Sequence, residues 1–459
     1  LRAPAMPPRA SGMRTQLRAA LPFQLTAAQE RVVAEIEADL ALPQPMHRLL
    51  QGDVGSGKTV VAALAAATAI DAGWQCALMA PTEILAEQHF RKLVQWLEPL
   101  GVGIAWLTGS RKGRGRREQL AAVADGRAGL VVGTHAVIQH DVAFARLGLA
   151  VVDEQHRFGV AQRLALREKL AEAPPEPGAP GLEPHLLMMS ATPIPRTLAM
   201  SHYADLDLST LDELPPGRTP IVTKVFEDGR RTQVLARIRD AVAAGQQVYW
   251  VCPLVEESEH LDLQNATATH AELSALMQQA VPGAMVGLLH GRMPPAEKAA
   301  VMSLFGEGTM QLLVATTVIE VGVDVPNASL MVIEHAERFG LAQLHQLRGR
   351  VGRGAAASVC VLLYTAPLSP TGKARLKAMA ETTDGFEIAR RDLEIRGPGE
   401  FMGARQSGDA LLRFADLAQD EPLLHQARAA AARLLAAHPA AAQQQVDRWL
   451  GAKTDFLKA

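Results

Sequence analysis

A glycine-rich loop at residues 52–59, GDVGSGKT, is the segment best suited to chemistry, because it fits the phosphate-binding pattern G-x-x-x-x-G-K-[S/T]. An apolar stretch of strand length precedes it and an alanine-rich stretch of helix length follows it, as this pattern requires. Backbone N–H groups of such a loop and the positive N-terminus of the next helix bind phosphate. The sequence therefore predicts phosphate contacts from Gly52, Gly55, Ser56 and Gly57, with Lys58 at the β- and γ-phosphates of a nucleotide and Thr59 at Mg²⁺.

Two adjacent carboxylates end a later apolar run, VVDEQH at 151–156. A nucleoside triphosphatase needs a metal-binding Asp and a water-orienting base at this position, so we predict Asp153 for Mg²⁺ and Glu154 for the attacking water. An Asp-Glu pair at a strand end is by itself more typical of a solvated turn. The phosphate loop upstream in the same predicted sheet favours the catalytic interpretation.

An arginine-rich segment, QLRGRVGR at 346–353, lies in the second half of the chain. Planar guanidinium groups suit the charge that develops on a transferred phosphoryl group better than lysine does. Arg350 and Arg353 are therefore candidates to reach the γ-phosphate across a cleft. A basic surface turn and phosphate contacts to nucleic acid are the alternatives that this segment alone leaves open.

Short apolar runs alternate with amphipathic stretches of helix length up to about Thr365, which predicts parallel sheets with helices on both faces. A Pro/Gly-rich break at 211–220 divides the runs into two series. We predict two α/β domains in tandem, followed by a mainly helical module where the strand signal stops. The predicted strands are 47–51, 76–80, 129–133, 148–153 and 185–190, then 247–252, 284–290, 311–316, 329–334 and 358–364.

Domain boundaries follow from these breaks. The first residue is Leu rather than Met, which predicts a fragment or a processed chain, and the proline-rich start predicts a linker from a missing upstream domain. The predicted divisions are a linker at 1–22, a first, nucleotide-binding domain at 23–210, an interdomain linker at 211–220, a second domain at 221–366 and a helical module at 367–459.

Composition excludes several classes of protein. Of the 459 residues 48% are hydrophobic and 20% charged, as in ordinary globular proteins, and no apolar run reaches the ~18 residues of a membrane span. The three cysteines are far apart, which excludes a disulfide scaffold or zinc cluster and fits a reducing cytoplasm. A net charge of −2 means that any DNA-binding face is a local patch, and 4% aromatic residues disfavour gripping single strands by base stacking.

Ten ordered blocks resemble the motif set of superfamily 2 helicases and translocases, and together they extend from residue 23 to residue 354. The blocks are FQLTAAQ (23–29), GDVGSGKT (52–59), APTEILAEQH (80–89), TGS (108–110), VGTHAV (132–137), DEQHRFG (153–159), SATPIPRT (190–197), LLHGRM (288–293), VATTVIEVGVDVPNA (314–328) and QLHQLRGRVGRG (343–354).

Three segments narrow the resemblance to the RecG family of bacterial branched-DNA helicases: DEQHRFG, SATPIPRT and TTDGFEIARRDLEIRGPGEFMGARQSG (382–408). The last is also similar to the translocation motif of the transcription-repair coupling factor Mfd. Gln155 favours RecG, since Mfd-like chains usually carry Glu there. The resemblance covers the motor and tail, and the N-terminal wedge domain of RecG-like proteins is not among these residues.

The resemblance implies two RecA-like P-loop domains with ATP and Mg²⁺ at their interface and a helical translocation module. It assigns Phe23 and Gln29 to adenine, Gly322 and Asp324 to the γ-phosphate and ribose, and Ser190 and Thr192 to coupling of hydrolysis with domain movement. It assigns Thr82, Thr108, Thr134 and Arg292 to the DNA backbone, and Arg375, Arg396 and Gln406 to transmission of cleft closure. The basic run RKGRGRR (111–117) is either a solvated loop or a phosphate-binding patch.

The function implied by the resemblance is ATP-dependent helicase and duplex-translocase activity that regresses stalled forks and migrates Holliday junctions. The implied partners are branched or duplex DNA and single-stranded-DNA-binding protein, with no membrane, a monomeric state and a place in the bacterial cytoplasm beside the nucleoid. Two alternatives stay open: an Mfd-like translocase that displaces RNA polymerase, and a nucleotide-gated DNA-binding scaffold that does not hydrolyse ATP.

Overall fold

The structure is a computed structural model, and its described residues form two parallel-sheet domains and a set of C-terminal helices. Within the described ranges, no helix is both long and apolar enough to span a bilayer. Those ranges are 2–109, 113–154, 182–191, 206–213, 220–253, 259–316, 325–352, 357–396 and 421–450.

The first domain is a seven-stranded sheet in the order β3-β4-β2-β5-β6-β1-β7, in which every pairing is parallel. The strands are β1 (His47–Gly52), β2 (Gln75–Met79), β3 (Gly103–Leu107), β4 (Ala128–Gly133), β5 (Leu147–Val152), β6 (His185–Ser190) and β7 (Asp207–Leu211). Its helices are α1 (Met13–Ala20), α2 (Ala27–Leu40), α3 (Lys58–Asp71), α4 (Glu83–Leu97) and α5 (Arg114–Ala124). Helix α3 packs against α1, α2 and the sheet, which explains why residues 60–69 are all buried.

The second domain is a six-stranded parallel sheet in the order β10-β11-β9-β12-β13-β8. Its strands are β8 (Val222–Glu227), β9 (Gln247–Val251), β10 (Val286–Leu289), β11 (Leu312–Ala315), β12 (Ala328–Ile333) and β13 (Val359–Tyr364). Its helices are α6 (Arg231–Ala243), α7 (Glu259–Ala280), α8 (Pro295–Gly306) and α9 (Leu341–Arg348). The prediction of two RecA-like domains with parallel sheets is confirmed.

The C-terminal part is helical among its described residues, as predicted. A pair of helices, α10 and α11, packs against α9 of the second domain, whereas α12 and α13 pack against each other. Ser369 caps α10 by accepting a hydrogen bond from Gly372 N, and Pro370 stands at the first helical position, where it needs no donor. The bounds are α10 (Pro370–Glu381), α11 (Gly385–Arg396), α12 (Glu421–Ala437) and α13 (Pro439–Leu450).

The N-terminal segment, predicted to be a linker from an upstream domain, packs against the first domain in the described residues 2–22. Met6 and Leu17 are fully buried in the core of the first domain. Arg14 donates to the Glu37 carboxylate at 2.7 Å, and the Met6 N–H donates to Leu40 O at 2.6 Å, so the segment is fixed to α2. Four prolines suggested a linker, but the apolar side chains between them supply the energy that anchors the segment.

Candidate active site

The phosphate loop and the predicted carboxylates lie at the same edge of the first sheet. Strand β6 lies between β5 and β1, and all three run parallel, so their carboxyl ends meet. Ser190 at the end of β6 is paired in register with Gln51, one residue before the loop begins, and Asp153 follows the end of β5. The fold therefore brings together the loop, the two acidic residues and Ser190.

The phosphate loop turns directly into α3. Gly57 has φ = 93°, a left-handed conformation that lets the chain turn directly into α3. Lys58 Nζ donates to Gly52 O at 2.6 Å and Asp53 O at 3.0 Å. The Ser56 hydroxyl is fully buried and has no hydrogen-bond partner within the part of the chain that the structure describes. A buried unpaired hydroxyl is costly, and phosphate oxygens at this loop would satisfy it.

Gln29 holds the main chain of this loop through a hydrogen bond. It forms a capping box with Thr26 at the start of α2, and its side-chain oxygen accepts from Thr26 N at 3.0 Å. Its Nε2 donates to Ser56 O at 2.9 Å, and the residue is buried. Phe23 is 45% exposed and packs edge-on against Trp96. Contact of Gln29 and Phe23 with adenine stays a prediction. The hydrogen bond to Ser56 O gives Gln29 a second role, which is to hold the loop.

Replacing Gly57 with Ala is expected to damage the loop and weaken nucleotide binding. A Cβ at this position would lie 2.2 Å from Gln29 Nε2, so the amide would have to leave Ser56. The left-handed backbone adds roughly 1–2 kcal/mol of strain for any residue with a side chain. Thermal denaturation and titration with a fluorescent ADP analogue would measure the two effects.

Gly245→Ala is the matched control, since Gly245 has φ = 78° and a Cβ there would meet no atom within 4 Å. We expect this control to lose similar stability from backbone strain but to bind the nucleotide normally. If Gly57→Ala also bound nucleotide with unchanged affinity, the loop would not form the site.

The Asp153 carboxylate is held by two neighbours. Its Oδ2 lies 2.7 Å from His89 Nε2 on α4, and its Oδ1 accepts from Glu154 N at 3.0 Å. Burial opposes ionisation of Asp153, but the charge and hydrogen bond of His89 and the charge of Lys58 outweigh it, and the pKa of the carboxyl is lowered. The site therefore holds a carboxylate anion, the form that binds a metal.

Glu154 adopts an unusual backbone conformation, with φ = 50° at a residue that has a side chain. Such left-handed conformations persist only where the surrounding structure enforces them, and they are frequent in active sites. Glu154 and Asp153 are both buried beside the phosphate loop. The backbone of Glu154 is therefore held in this conformation next to Asp153, and its role in orienting water stays a prediction.

The first domain contacts the second through its phosphate loop. Asp53 Oδ1 lies 3.0 Å from His345 Nε2 of α9, and Asp53 also accepts a hydrogen bond from Gly385 N at the start of α11. Val54 packs against Gly349, where a Cβ would lie 3.0 Å from Val54 Cβ. Arg350 follows this contact directly and is buried. The arginine-rich segment thus reaches the edge of the phosphate loop.

This contact holds the Asp53 carboxylate ionised. Burial alone would raise its pKa, but the hydrogen bond and charge of His345, the charge of Lys58 and the Gly385 N–H together lower the pKa below its ordinary value. A charged side chain in the phosphate loop is therefore fixed by the second domain and by the first residue of α11.

Arg348 joins the second domain to the helical module. It is buried at 2% exposure, and its guanidinium donates to Met379 O at 3.0 Å and Thr382 O at 2.9 Å, at the end of α10. A further contact joins its Nη2 to His345 Nδ1 at 3.1 Å. His345 therefore lies between Arg348 and Asp53. Hydrogen bonds connect the phosphate loop through α9 to the C-terminal helices.

Comparison with known proteins identifies the chain. The model "DEAD/DEAH box helicase" matches residues 26–201, "Helicase conserved C-terminal domain" matches 232–355, and "ATP-dependent DNA helicase RecG, domain 3, C-terminal" matches 382–450. A curated protein of Acidithiobacillus ferridurans, "ATP-dependent DNA helicase RecG", is 59% identical over 436 residues, which cover 95% of this chain and 62% of that protein. The chain belongs to the RecG family. The RecG protein of Escherichia coli strain K12 is 56% identical over 439 residues, with the same coverage.

Solved structures agree with RecG membership. One titled "Structure of RecG bound to three-way DNA junction" has 42% sequence identity and a TM-score of 0.72, and the match covers 92% of this chain and 53% of that chain. The DNA-bound helicase MrfA has 16% identity and a TM-score of 0.62, which is a likeness of fold alone. The chain spans about three-fifths of the length of the curated RecG proteins that it matches.

The residues that the RecG resemblance assigns to DNA lie in different environments. Thr82 is the N-cap of α4 and accepts from Leu85 N at 3.4 Å. Arg292 is exposed, whereas Thr108 and Thr134 are buried. Arg375 lies on α10, and its buried Nε has no hydrogen-bond partner among the described residues. DNA contact by these residues stays a prediction.

In the described part of the basic run at 111–117, two arginines form ion pairs. Arg114 pairs with Glu118 at 2.9 Å, and Arg116 pairs with Asp141 at 2.9 Å. These pairs reduce the positive charge available to DNA phosphates. Several predicted site residues lie outside the described residues, namely Thr192, Gly322, Asp324, Arg353 and Gln406, as does the side chain of Arg396.

Four polar residues of this site were not predicted from the sequence: Asp53, His89, His345 and Arg348. Each lies within one of the ten motif blocks, but the contacts that give it a role join distant parts of the chain. For His89 a signal existed, since it falls at helical spacing between Leu85 and Leu93 on the buried face of α4. A buried polar residue in an apolar stripe needs a partner.

Replacing Arg348 with Met is expected to lower the free energy of unfolding by at least ~2 kcal/mol. The carbonyls of Met379 and Thr382 would lose a charged donor, and such hydrogen bonds contribute ~1.5–3 kcal/mol each. Urea denaturation would measure the loss. Arg391→Met is the control, because Arg391 makes more exposed ion pairs on α11, which contribute at most ~1 kcal/mol. Equal, small losses would mean that water replaces the Arg348 bonds.

Proposed function

We propose that this chain is the motor and translocation module of an ATP-hydrolysing enzyme that moves along duplex DNA and remodels branched DNA. The observation that carries the proposal is the contact of the phosphate loop with α9 and the start of α11, through Asp53, His345 and Gly385. A nucleotide bound at this loop would therefore act on the first domain, the second domain and the helical module at once. The RecG structure bound to a three-way DNA junction supports branched DNA as the substrate.

Hydrolysis is assigned to residues of both domains. Lys58, now donating to two loop carbonyls, would turn to the β- and γ-phosphates when ATP occupies the loop. Glu154 would orient the attacking water. Arg350, and Arg353 beyond the described residues, would neutralise the charge that develops on the γ-phosphate. Closing the cleft brings these groups into place, and opening it releases the products.

The same site suits Mg²⁺. Thr59, the second residue of α3, and the ionised Asp153 carboxylate are hard oxygen ligands of the kind that Mg²⁺ prefers. When bound, the ion would neutralise charge on the β- and γ-phosphates. Asp153 keeps its carboxylate fixed by the His89 and Glu154 contacts, so two residues of this chain hold the orientation that the ion needs.

Transmission to DNA would pass through the helical module. Arg348 fixes α9 to the end of α10, so a movement of α9 at the cleft also moves the α10–α11 pair. Arg375, Arg396 and Gln406 would carry this movement to the DNA. DNA-stimulated hydrolysis should therefore persist in Gln406→Ala while junction unwinding fails, and equal loss of both activities would give the module a purely structural role.

DNA binding by residues 1–459 alone is expected to be strongly salt-dependent and poorly selective for forks. The predicted contacts are with the phosphate backbone, which is alike in a fork and in plain duplex. Counterion release makes such affinity fall steeply as salt rises. Titration with a synthetic fork and a linear duplex of equal length, at two salt concentrations, tests this. A strong, salt-resistant preference for the fork would place fork recognition within these residues.

The function itself is tested by phosphate release from ATP with and without a three-way junction, followed by gel analysis of the junction strands. Stimulated hydrolysis with strand separation is expected. Hydrolysis absent under all conditions would favour a nucleotide-gated scaffold. The RecG names of the curated relatives favour this function over displacement of RNA polymerase. Single-stranded-DNA-binding protein as a partner, a monomeric state and a location beside the nucleoid stay predictions.

A further inference from the structure

The turn between β2 and α4 contacts Asp153 on both of its sides. Before the turn, Met79 O accepts a hydrogen bond from Asp153 N at 2.8 Å. After the turn, His89 Nε2 lies 2.7 Å from Asp153 Oδ2. Thr82, the N-cap of α4 and a predicted contact to the DNA backbone, lies between these two points. Asp153, the candidate metal ligand, is therefore hydrogen-bonded to residues on both sides of Thr82, the candidate DNA contact.

Helix α4 connects Thr82, its N-cap, to His89 without interruption. Leu85, His89 and Leu93 lie on its buried face, and Phe90 packs against Trp106 of β3 with ring centroids 5.0 Å apart. His89 follows Thr82 by seven residues, which is two helical turns or ~10 Å along one side of the helix. A displacement of Thr82 by a bound phosphate would therefore be passed to His89 without being absorbed by the helix.

The contact restricts the Asp153 carboxylate strongly because both groups are buried. The side chains of His89 and Asp153 are each 10% exposed, so water does not readily replace the bond between them. The other carboxylate oxygen is held by Glu154 N. A carboxylate has about four acceptor positions, so the held orientation still leaves lone pairs for a cation.

We propose that His89 is a positioning residue, which fixes the Asp153 carboxylate for Mg²⁺ and transmits occupation of the Thr82 turn by DNA to the metal site. This inference rests on the proposed function, since it requires that the loop binds Mg²⁺ with nucleotide and that the turn binds DNA. It adds a route by which DNA stimulates hydrolysis within the first domain, separate from the route through α9 and the helical module.

The first test measures binding of a fluorescent ADP analogue during a titration with Mn²⁺, in the absence of DNA. Outer-shell partners of metal ligands typically contribute 10–100-fold in metal affinity, so His89→Ala should raise the Mn²⁺ midpoint by ~10-fold or more. Affinity for the analogue in EDTA should stay at the level of the unmodified chain, because the phosphate loop is unchanged. His89→Gln, which keeps a donor amide, should recover part of the loss.

Leu93→Ala is the matched control, since Leu93 lies one turn further along the same buried face and does not contact Asp153. It should lower thermal stability through a core cavity yet leave the Mn²⁺ midpoint unchanged. The inference is overturned if His89→Ala keeps the midpoint of the unmodified chain, or if Leu93→Ala shifts it as much as His89→Ala does.

The second test repeats the titration with a saturating linear duplex oligonucleotide. Linkage requires that, if DNA and metal are coupled, the duplex shifts the Mn²⁺ midpoint of the unmodified chain, and His89→Ala should abolish that shift. DNA-stimulated hydrolysis without any shift of the midpoint would overturn transmission through His89 while leaving the proposed function intact. Absence of DNA-stimulated hydrolysis in the unmodified chain would instead overturn the proposed function.

Discussion

A chain carrying Lys58→Ala is expected to lose ATP hydrolysis by at least ~10²-fold while it keeps its fold. Removing one preorganised donor from a site of developing negative charge typically lowers the rate by ~10²–10³-fold. Folding should be little affected, because Lys58 donates to the carbonyls of Gly52 and Asp53, where water can replace it. Phosphate release at saturating ATP, with circular dichroism of the same sample, measures both properties.

Lys92→Ala is the control for this experiment. Lys92 lies on α4 in the same domain and is exposed, so its loss removes the same charge without touching the phosphate loop. Hydrolysis by this variant should match that of the unmodified chain. Undiminished phosphate release by a folded Lys58→Ala chain would refute the assignment of the nucleotide site to residues 52–59.

Replacing Arg350 with Ala is expected to leave ATP binding nearly intact and to lower kcat by ~10³-fold or more, the range attributed to an arginine finger. The residue is buried directly after Gly349, which packs against Val54 of the phosphate loop. Arg350→Lys should not restore the rate, because an ammonium group cannot copy the planar guanidinium fork. Single-turnover hydrolysis and binding of the fluorescent ADP analogue separate the rate from the affinity.

The same substitutions at Arg353 test the other candidate, which lies outside the described residues. Arg239→Ala is the control in the second domain, where Arg239 forms an exposed pair with Asp240 on α6. It should hydrolyse ATP at the unmodified rate. Normal hydrolysis by Arg350→Lys would move the finger role to Arg353, and normal hydrolysis by both lysine variants would remove it from this segment.

The central strands could be predicted from the sequence, but three of the four edge strands could not. Strands such as β2 and β9 are buried along their whole length and therefore appear as uninterrupted apolar runs. Strands β3, β7 and β8 lie at the edges, where part of each strand faces solvent, and β8 (VTKVFE) alternates between exposed and half-buried positions. The mixed composition of β7 and β8 does not differ from that of a loop, whereas β3 (GIAWL) is a short apolar run that was not predicted as a strand.

The chemistry of the phosphate loop and of the Asp153–Glu154 pair was determined by the sequence alone. The loop acts through backbone N–H groups and a helix start within eight consecutive residues, so its geometry is local. A strand that ends in two carboxylates is likewise a local feature, and the parallel sheet brings it to the same edge as the loop. The loop could be predicted from its own eight residues, whereas the catalytic interpretation of the Asp153–Glu154 pair also required the phosphate loop upstream in the same sheet.

Only the tertiary structure decided how these groups are held. His89 is separated from Asp153 by 64 residues and His345 from Asp53 by 292. The sequence therefore does not show that these residues pair with each other. Arg348 has the same side chain as Arg350, two residues later, yet it is buried against the carbonyls of α10 and fixes the domain to the helical module. The type of a residue determines which chemical roles its side chain can have. Its burial and its partners select one of these roles, and only the folded chain supplies them.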